Sequence, residues 1–334
     1  MARQFKKSSG SRATLYDLFH KDPLAGKGIA KGEMPPHDFK NFFKYLGRHF
    51  GQTVSVNLLF VLANFPIFFL LLGFSGLFSD SLASPASSMF PVLFGQMQEA
   101  IDPVSAALFG VHGVQGSMTV TTTATKILYV LGALLIVTWG PVNVGTTYIL
   151  RNMVKGDPIF FKHDFFYAIK RNLRQSFIMG FLDLLFIAVL GYDTALFFIN
   201  MGYGGSALLF FASLLLSIVY MIMRFYIYIV LITFDLSIFK ILKNAFIFVS
   251  LGIKRNLLAI IGITLLALID YVILVVLLPL GVLLPFVMLY GLGAYMAVYA
   301  AWPKIKQYMI DPYPTEEQPQ EEPVFKDDVS ASEN

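Results

Sequence analysis

The sequence predicts an all-α integral membrane protein, with six transmembrane helices set out as three hairpins and amphipathic interfacial elbow helices leading into them. Hydrophobic residues make up 56% of the chain and charged residues only 14%, a composition suited to lipid-facing helices and not to a soluble domain. The 334 residues hold several apolar runs of the ~20 residues that a bilayer-crossing helix needs. Basic residues fall at alternate ends of these runs: ten precede the first, six lie between Arg151 and Arg174, five between Arg224 and Arg255, and three follow Trp302. Lys126 is left at the opposite end of the second run. Under the positive-inside rule this places both termini in the cytoplasm. A five-span alternative would send Lys304 and Lys306 to the outer side, against the same rule.

Residues 1–37 read as a flexible cytoplasmic segment closed by Pro35-Pro36, with Asp38 placed to cap the helix that follows. Its long polar start, with no apolar core behind the cations, is unlike a cleavable signal peptide. A six-helix domain then covers 38–306. Phe39, Phe42, Phe43 and Leu46 recur at helical spacing beside Lys40, Lys44 and Arg48, as in a helix lying in the membrane interface. Spans are expected at roughly 53–78, 126–150, 176–199 and 206–234, the third and fourth joined tightly through Gly202-Tyr203-Gly204-Gly205. The outer loop, 79–125, is rich in Ser, Thr, Gly and Ala and has room for a short helix near Gln96–Leu108. Asp235 reads as a second cap, ahead of Ile238, Phe239, Leu242, Phe246 and Val249 at helical spacing. The apolar stretch 257–302 is too long for one span, and Leu278-Pro279-Leu280-Gly281 divides it. The Pro-, Glu- and Asp-rich residues 307–334 read as a disordered acidic cytoplasmic tail.

The stretch Trp139–Ser176 shows the unit that the chain repeats. An apolar helix carrying a Gly140-Pro141 kink leaves the membrane at Arg151, turns at Gly156-Asp157-Pro158, and returns through an aromatic, basic run. Aligning Phe42-Phe43 with Phe165-Phe166 superposes Arg48 on Arg171 and Gln52 on Gln175. Lys170-Arg171-Asn172-Leu173 recurs letter for letter as Lys254-Arg255-Asn256-Leu257. Arg48, Lys170, Arg171, Arg174, Lys254 and Arg255 thus mark a cytoplasmic elbow before each odd-numbered span. Either an internal duplication or convergence on snorkelling cations explains the repetition.

Polar residues inside spans are the natural functional candidates. Asn57, Asn143, Asp183, Arg224 and Thr264 each stand about eight to eleven residues from a cytoplasmic boundary, or roughly 12–16 Å at the ~1.5 Å rise of a helix. Facing inward, the five would form one polar layer with Asp183 and Arg224 as its ion pair. Two plainer readings stay open. Arg224 could snorkel from a short fourth span, and Asn57, Asn143 and Thr264 could serve only as helix–helix glue. Gly293, Ala297 and Ala301 suit a close-packing seam.

Catalytic patterns are missing. The chain has no Cys, and its five His residues form no zinc-binding pair. His163-Asp164 is more simply a helix start, with Asp164 as the cap. Gly26-Lys27-Gly28 lacks phosphate-loop spacing, and no nucleophile elbow occurs. The expectation is a protein that is not an enzyme and that has no cofactor, no metal and no nucleic-acid partner, its lysines and arginines being accounted for by topology.

Several of these features together resemble the YesL-like family of bacterial membrane proteins, the domain of unknown function 624. They are the Gly140-Pro141 helix with Gly145 and Arg151 after it, and the run Phe165, Ala168, Lys170, Asn172, Gln175, Ser176 leading to Gly180. The Phe42-Phe43 elbow with Asn57 and the final hairpin are similar too, so the resemblance covers most of 38–306. It implies a multi-pass protein of the bacterial cytoplasmic membrane, encoded near sugar-binding proteins, sugar permeases and glycan-degrading enzymes. It supplies no catalytic residues. The expected role is an accessory or regulatory component of carbohydrate uptake or utilisation, with the lipid bilayer and sugar-transporter subunits as partners. The alternative is an autonomous small-solute permease that uses the intramembrane polar layer.

Overall fold

The computed structural model describes residues 36–85, 103–104 and 115–312. Expectations for 1–35, for most of Gln96–Leu108 and for the tail beyond 312 fall outside these residues. The chain divides into two compact units, 1–46 and 47–334. In the first, Asn41 donates to the Pro36 carbonyl at 2.9 Å, and Phe39 and Phe43 meet edge to face one turn apart. Helix α1 covers Phe39–Ala63.

The described helices follow in order: α2 Pro66–Phe74, α3 Thr123–Ala133, α4 Leu135–Lys155, α5 Phe161–Arg171, α6 Leu173–Ile199, α7 Ser206–Thr233, α8 Ile238–Leu251, α9 Ile253–Val276, α10 Leu278–Leu284 and α11 Tyr290–Ile305. Two π-helical turns, Pro285–Leu289 and Lys306–Ile310, precede and follow α11, so the last helix runs past the expected boundary at 306. Five helical stretches are long and apolar enough to cross a membrane, and six when the bent pair α1–α2 is taken as one span. Each bears exposed large apolar side chains over part of its length, the surface expected where lipid replaces water as the solvent.

Three spans are broken where the sequence reading drew them whole or broke them elsewhere. The first bends by 65° between α1 and α2. Pro66 has no N–H to offer the Leu62 carbonyl, so the chain turns at Asn64-Phe65, with Ile67 N donating to Asn64 O at 3.0 Å. The second is interrupted at Leu134, not at Gly140-Pro141. Pro141 lies inside α4, and the turn at Leu134 is closed by Val137 N donating to Leu134 O at 3.0 Å. The last span widens into a π turn at Pro285, which cannot donate to the carbonyl of Gly281. Leu277 alone separates α9 from α10, and Gly281 lets α10 fold directly onto the backbone of Leu274.

The elbows α5 and α8 precede α6 and α9, yet the repeated tetrapeptide does not sit equivalently in them. In the first copy the helix breaks at Asn172; in the second it breaks at Gly252, four residues before Asn256. What the two asparagines share is capping of the elbow's last carbonyls: Asn172 donates to Ala168 O at 2.9 Å, and Asn256 to Phe248 O at 3.1 Å. Asp164 holds the start of α5 from within its first turn, accepting from Phe160 N at 2.9 Å. Asp235, read as a cap, stands two residues before the α8 N-cap Ser237 and makes no capping bond among the described residues.

The outer loop departs from the all-α expectation. Ser79–Pro85 (β1) and Gln115–Thr121 (β2) form a two-stranded antiparallel ladder pairing Ser79 with Thr121 and Pro85 with Gln115. Its base is tied to the membrane helices by threonines. Thr125 donates to Phe78 O at 2.7 Å, Thr122 reaches the same carbonyl, and the Thr122 hydroxyl caps α3 by accepting from Thr125 N.

Candidate functional site

The site is built on the crossing of α4 and α6. Gly140 and Gly180 face each other so closely that a Cβ on either would overlap the other's backbone, and one at Gly140 would land on the Ser176 carbonyl. Only glycine fits on both sides of this crossing. The contact puts Trp139, next to Gly140, opposite Asp183, which lies one turn beyond Gly180.

Asp183 is completely buried, and every bond its carboxylate makes is to a side chain. Trp139 Nε1 donates to Oδ2 at 2.9 Å, from α4. Three residues of α7 supply the rest: Tyr220 donates to Oδ1 at 2.8 Å, Tyr228 to Oδ2 at 2.8 Å, and Arg224 Nη2 to Oδ2 at 3.1 Å. Arg224 Nε completes the ion pair, 2.8 Å from Oδ1. Tyr220, Arg224 and Tyr228 are spaced i, i+4, i+8 and so share one face of α7. The guanidinium also lies over the Trp139 ring, 5.8 Å from its centroid. Two carboxylate oxygens offer about four acceptor positions, and four hydrogen bonds fill them, while Arg224 Nε adds an ionic contact without a hydrogen bond. The charge is neutralised and the acceptor capacity is spent.

A second cluster joins α4 to α11. Asn143 donates to Trp139 O at 2.8 Å, one turn back on its own helix, and accepts from the Tyr290 hydroxyl at 3.1 Å. The carbonyl it takes is therefore not the one freed by Pro141, which belongs to Val137. Tyr290 stacks on Phe60 of α1 with ring centroids 3.4 Å apart, and Phe60 also meets Trp139 edge to face.

The third cluster is a side chain reading backbone. Asn57, fully buried on α1, donates to Phe286 O at 2.7 Å and Pro285 O at 3.2 Å, and accepts from Gly291 N at 2.8 Å. These are groups that the π turn displaces from the regular i, i+4 ladder. Gly291 is again a close-approach position, where a Cβ would press on Thr53 O.

Asn57, Asn143, Asp183 and Arg224 thus occupy one connected polar belt across α1, α4, α6, α7 and α11. Thr264 does not join it. It lies exposed on α9, facing away from these partners, as a small hydroxyl on a lipid-facing helix can. Trp139, Tyr220, Tyr228 and Tyr290 belong to the belt and were not among the sequence candidates. The signal available was the Tyr-x3-Arg-x3-Tyr stripe in α7 and the placement of Trp139 one turn before Asn143. Of the elbow cations, Arg48, Lys170, Arg171, Arg174 and Lys254 are exposed, and Arg255 is half-buried. Among the described residues no group of three or more His, Cys, Asp or Glu side chains converges as a metal site.

Comparison with family models, with curated proteins and with solved structures returns no match.

Proposed function

We propose that this chain is a multi-pass protein of the bacterial cytoplasmic membrane, with both termini in the cytoplasm, that acts as an accessory or regulatory component of carbohydrate uptake or utilisation. The orientation rests on the distribution of basic residues, and the association with sugar transport on the resemblance to the YesL-like family. One observation favours a non-catalytic, non-conducting role over a solute path: the buried carboxylate has no acceptor position left for a substrate, since four hydrogen bonds from the protein itself fill them and the Arg224 guanidinium balances its charge. A permease site needs exchangeable partners, whereas this one is closed on itself.

A second reading keeps support from a different place. The bend at Asn64-Phe65 and the π turn at Pro285–Leu289 break two spans, and broken helices line the midplane sites of many transporters. Asn64 is buried at that bend. Its Oδ1 accepts from Thr138 at 3.1 Å while its Nδ2 has no partner among the described residues. Purified protein in liposomes separates the two. The accessory reading expects no saturable sugar flux from the protein alone and co-purification with sugar-transporter subunits from its native membrane. Saturable flux that is lost in Asn64→Ala overturns it in favour of the permease.

A further inference from the structure

The belt leaves the cytoplasmic elbow cations without a role beyond topology, and two of them border a cavity. A cleft of about 310 Å³ opens where α5 meets α6 and where α7 ends, lined by Arg171, Arg174, Leu231, Ile232, Phe234 and Asp235, with Asn172 and Gln175 at its edge. The two amides are already committed, Asn172 to Ala168 O at 2.9 Å and Gln175 to Leu236 O at 3.0 Å, so they set the shape of the cleft. The guanidinium groups are not. Arg171 has only a 3.5 Å contact with the Tyr167 hydroxyl, and Arg174 has no hydrogen-bond or ion-pair partner among the described residues. Asp235 also lines the cleft without an ion pair among the described residues, so its carboxylate offsets the two cations only in part.

The charge balance is therefore positive. Arg151 adds to it from the next helix: its Nη1 donates to Thr233 at 3.2 Å, and it lies close enough to Arg171 for the two to repel. Arg151 is also the cation that serves the carbonyl end of α7, so Arg171 and Arg174 are not needed there. The break at Asn172 starts the 27-residue α6 beside the same cleft, with its first amide N–H groups outside the helical ladder. Leu231 and Ile232, almost wholly buried, close the inner side of the cleft. Two forked cations free of protein partners among the described residues, beside a helix start, match the charge and geometry of a phosphate group.

We propose that this cleft is a binding site for a phosphate-bearing anion, with Arg171 and Arg174 gripping the phosphate. The same chemistry is offered by the headgroup of an anionic phospholipid and by free phosphate, and the test distinguishes them. It does not depend on the partnership with a sugar transporter, and its readout is independent of flux.

The full chain, purified in a neutral detergent, is titrated with phosphatidylglycerol, with phosphatidylcholine and with inorganic phosphate, bound ligand being counted by native mass spectrometry. Phosphatidylglycerol is expected to bind in preference to phosphatidylcholine. In R171Q/R174Q its affinity should fall about ten- to a hundredfold, the scale of losing charge-assisted hydrogen bonds. R171K/R174K, which keeps the charge and loses the fork, should fall between. The control K240Q/K243Q removes the same charge from the exposed face of α8 and should leave affinity near that of the parent. If inorganic phosphate competes with the lipid, the site takes phosphate from either source; if it does not, the ligand is the lipid. Both results support the proposal. Equal loss in K240Q/K243Q and R171Q/R174Q, or no loss in R171Q/R174Q with an unchanged melting transition, overturns it.

Discussion

Asp183 and Asn57 are both fully buried polar side chains that tie helices together inside the spans, and they do so in opposite ways. Asp183 meets only side chains, those of Trp139 on α4 and of Tyr220, Arg224 and Tyr228 on α7. Asn57 meets only main chain, at a place where the last span has lost its regular ladder. The first is a charge neutralised by side chains from two other helices. The second is an amide that supplies bonds which a broken helix cannot supply for itself. Removing Asp183 should therefore be felt across the whole bundle, while removing Asn57 should be felt mainly between Pro285 and Gly291.

The sharpest way to break this contrast is Asp183→Ala. It strands Arg224, whose side chain is only 21% exposed, together with three donors aimed at nothing. A loss of roughly 3–5 kcal/mol is expected, the usual consequence of removing one member of a buried ion pair. Thermal unfolding in detergent measures it, and Trp139 reports it optically, since Trp302 is the other of only two tryptophans and can be replaced. Arg224→Ala alone should also be severe. The double variant should be better tolerated than the worse single one, because no unpaired charge remains. A double variant no better than the worse single would mean that the two residues do not stabilise each other directly.

Asn57→Leu comes next, at about 1–3 kcal/mol, from orphaning two carbonyls and one N–H in a site without water to replace the amide. Its distinguishing mark is where the effect falls. Amide hydrogen exchange should accelerate over 285–291 while the Asp183 network keeps its protection. Acceleration spread evenly through α4, α6 and α7 would show that the two clusters are one cooperative unit and that the contrast drawn between them is wrong.

These residues also show what a sequence reveals of such a fold. Spans were legible because lipid imposes a long apolar run, and Asp183 and Arg224 because a charge inside such a run is conspicuous and counting residues gives its depth. Trp139, Tyr220, Tyr228 and Tyr290 were not legible. An aromatic in an apolar helix is ordinary, and only the Gly140–Gly180 crossing turns these into ligands of a carboxylate. The breaks were half legible. Proline announces that a hydrogen bond is missing, but whether the chain bends at once, as before Pro66, continues as a helix, as through Pro141, or widens into a π turn, as at Pro285, depends on what packs beside it. The β1–β2 pairing was hidden for another reason. Its strands are short, rich in serine and threonine, and far apart in the chain, so neither carries a periodicity strong enough to read alone.

Thr264 supplies the smallest effect and the cleanest control. Counting from the cytoplasmic boundary places it at the depth of Asn57, Asn143 and Asp183, so a layer defined by depth alone would include it. The fold excludes it by rotation: α9 turns Thr264 outward, and the buried side of this helix is marked instead by Asn256 and Ala259. Thr264→Val should therefore change stability by no more than about 0.5 kcal/mol in either direction, as for an exposed position with no specific partner. Asn256→Leu on the same helix should behave like Asn57→Leu, since its Oδ1 accepts from Tyr226 at 2.7 Å and its Nδ2 caps α8. A Thr264→Val penalty as large as that of Asn57→Leu would mean that depth, and not facing, decides membership of the belt, and that α9 turns in the membrane toward the partners it faces away from here.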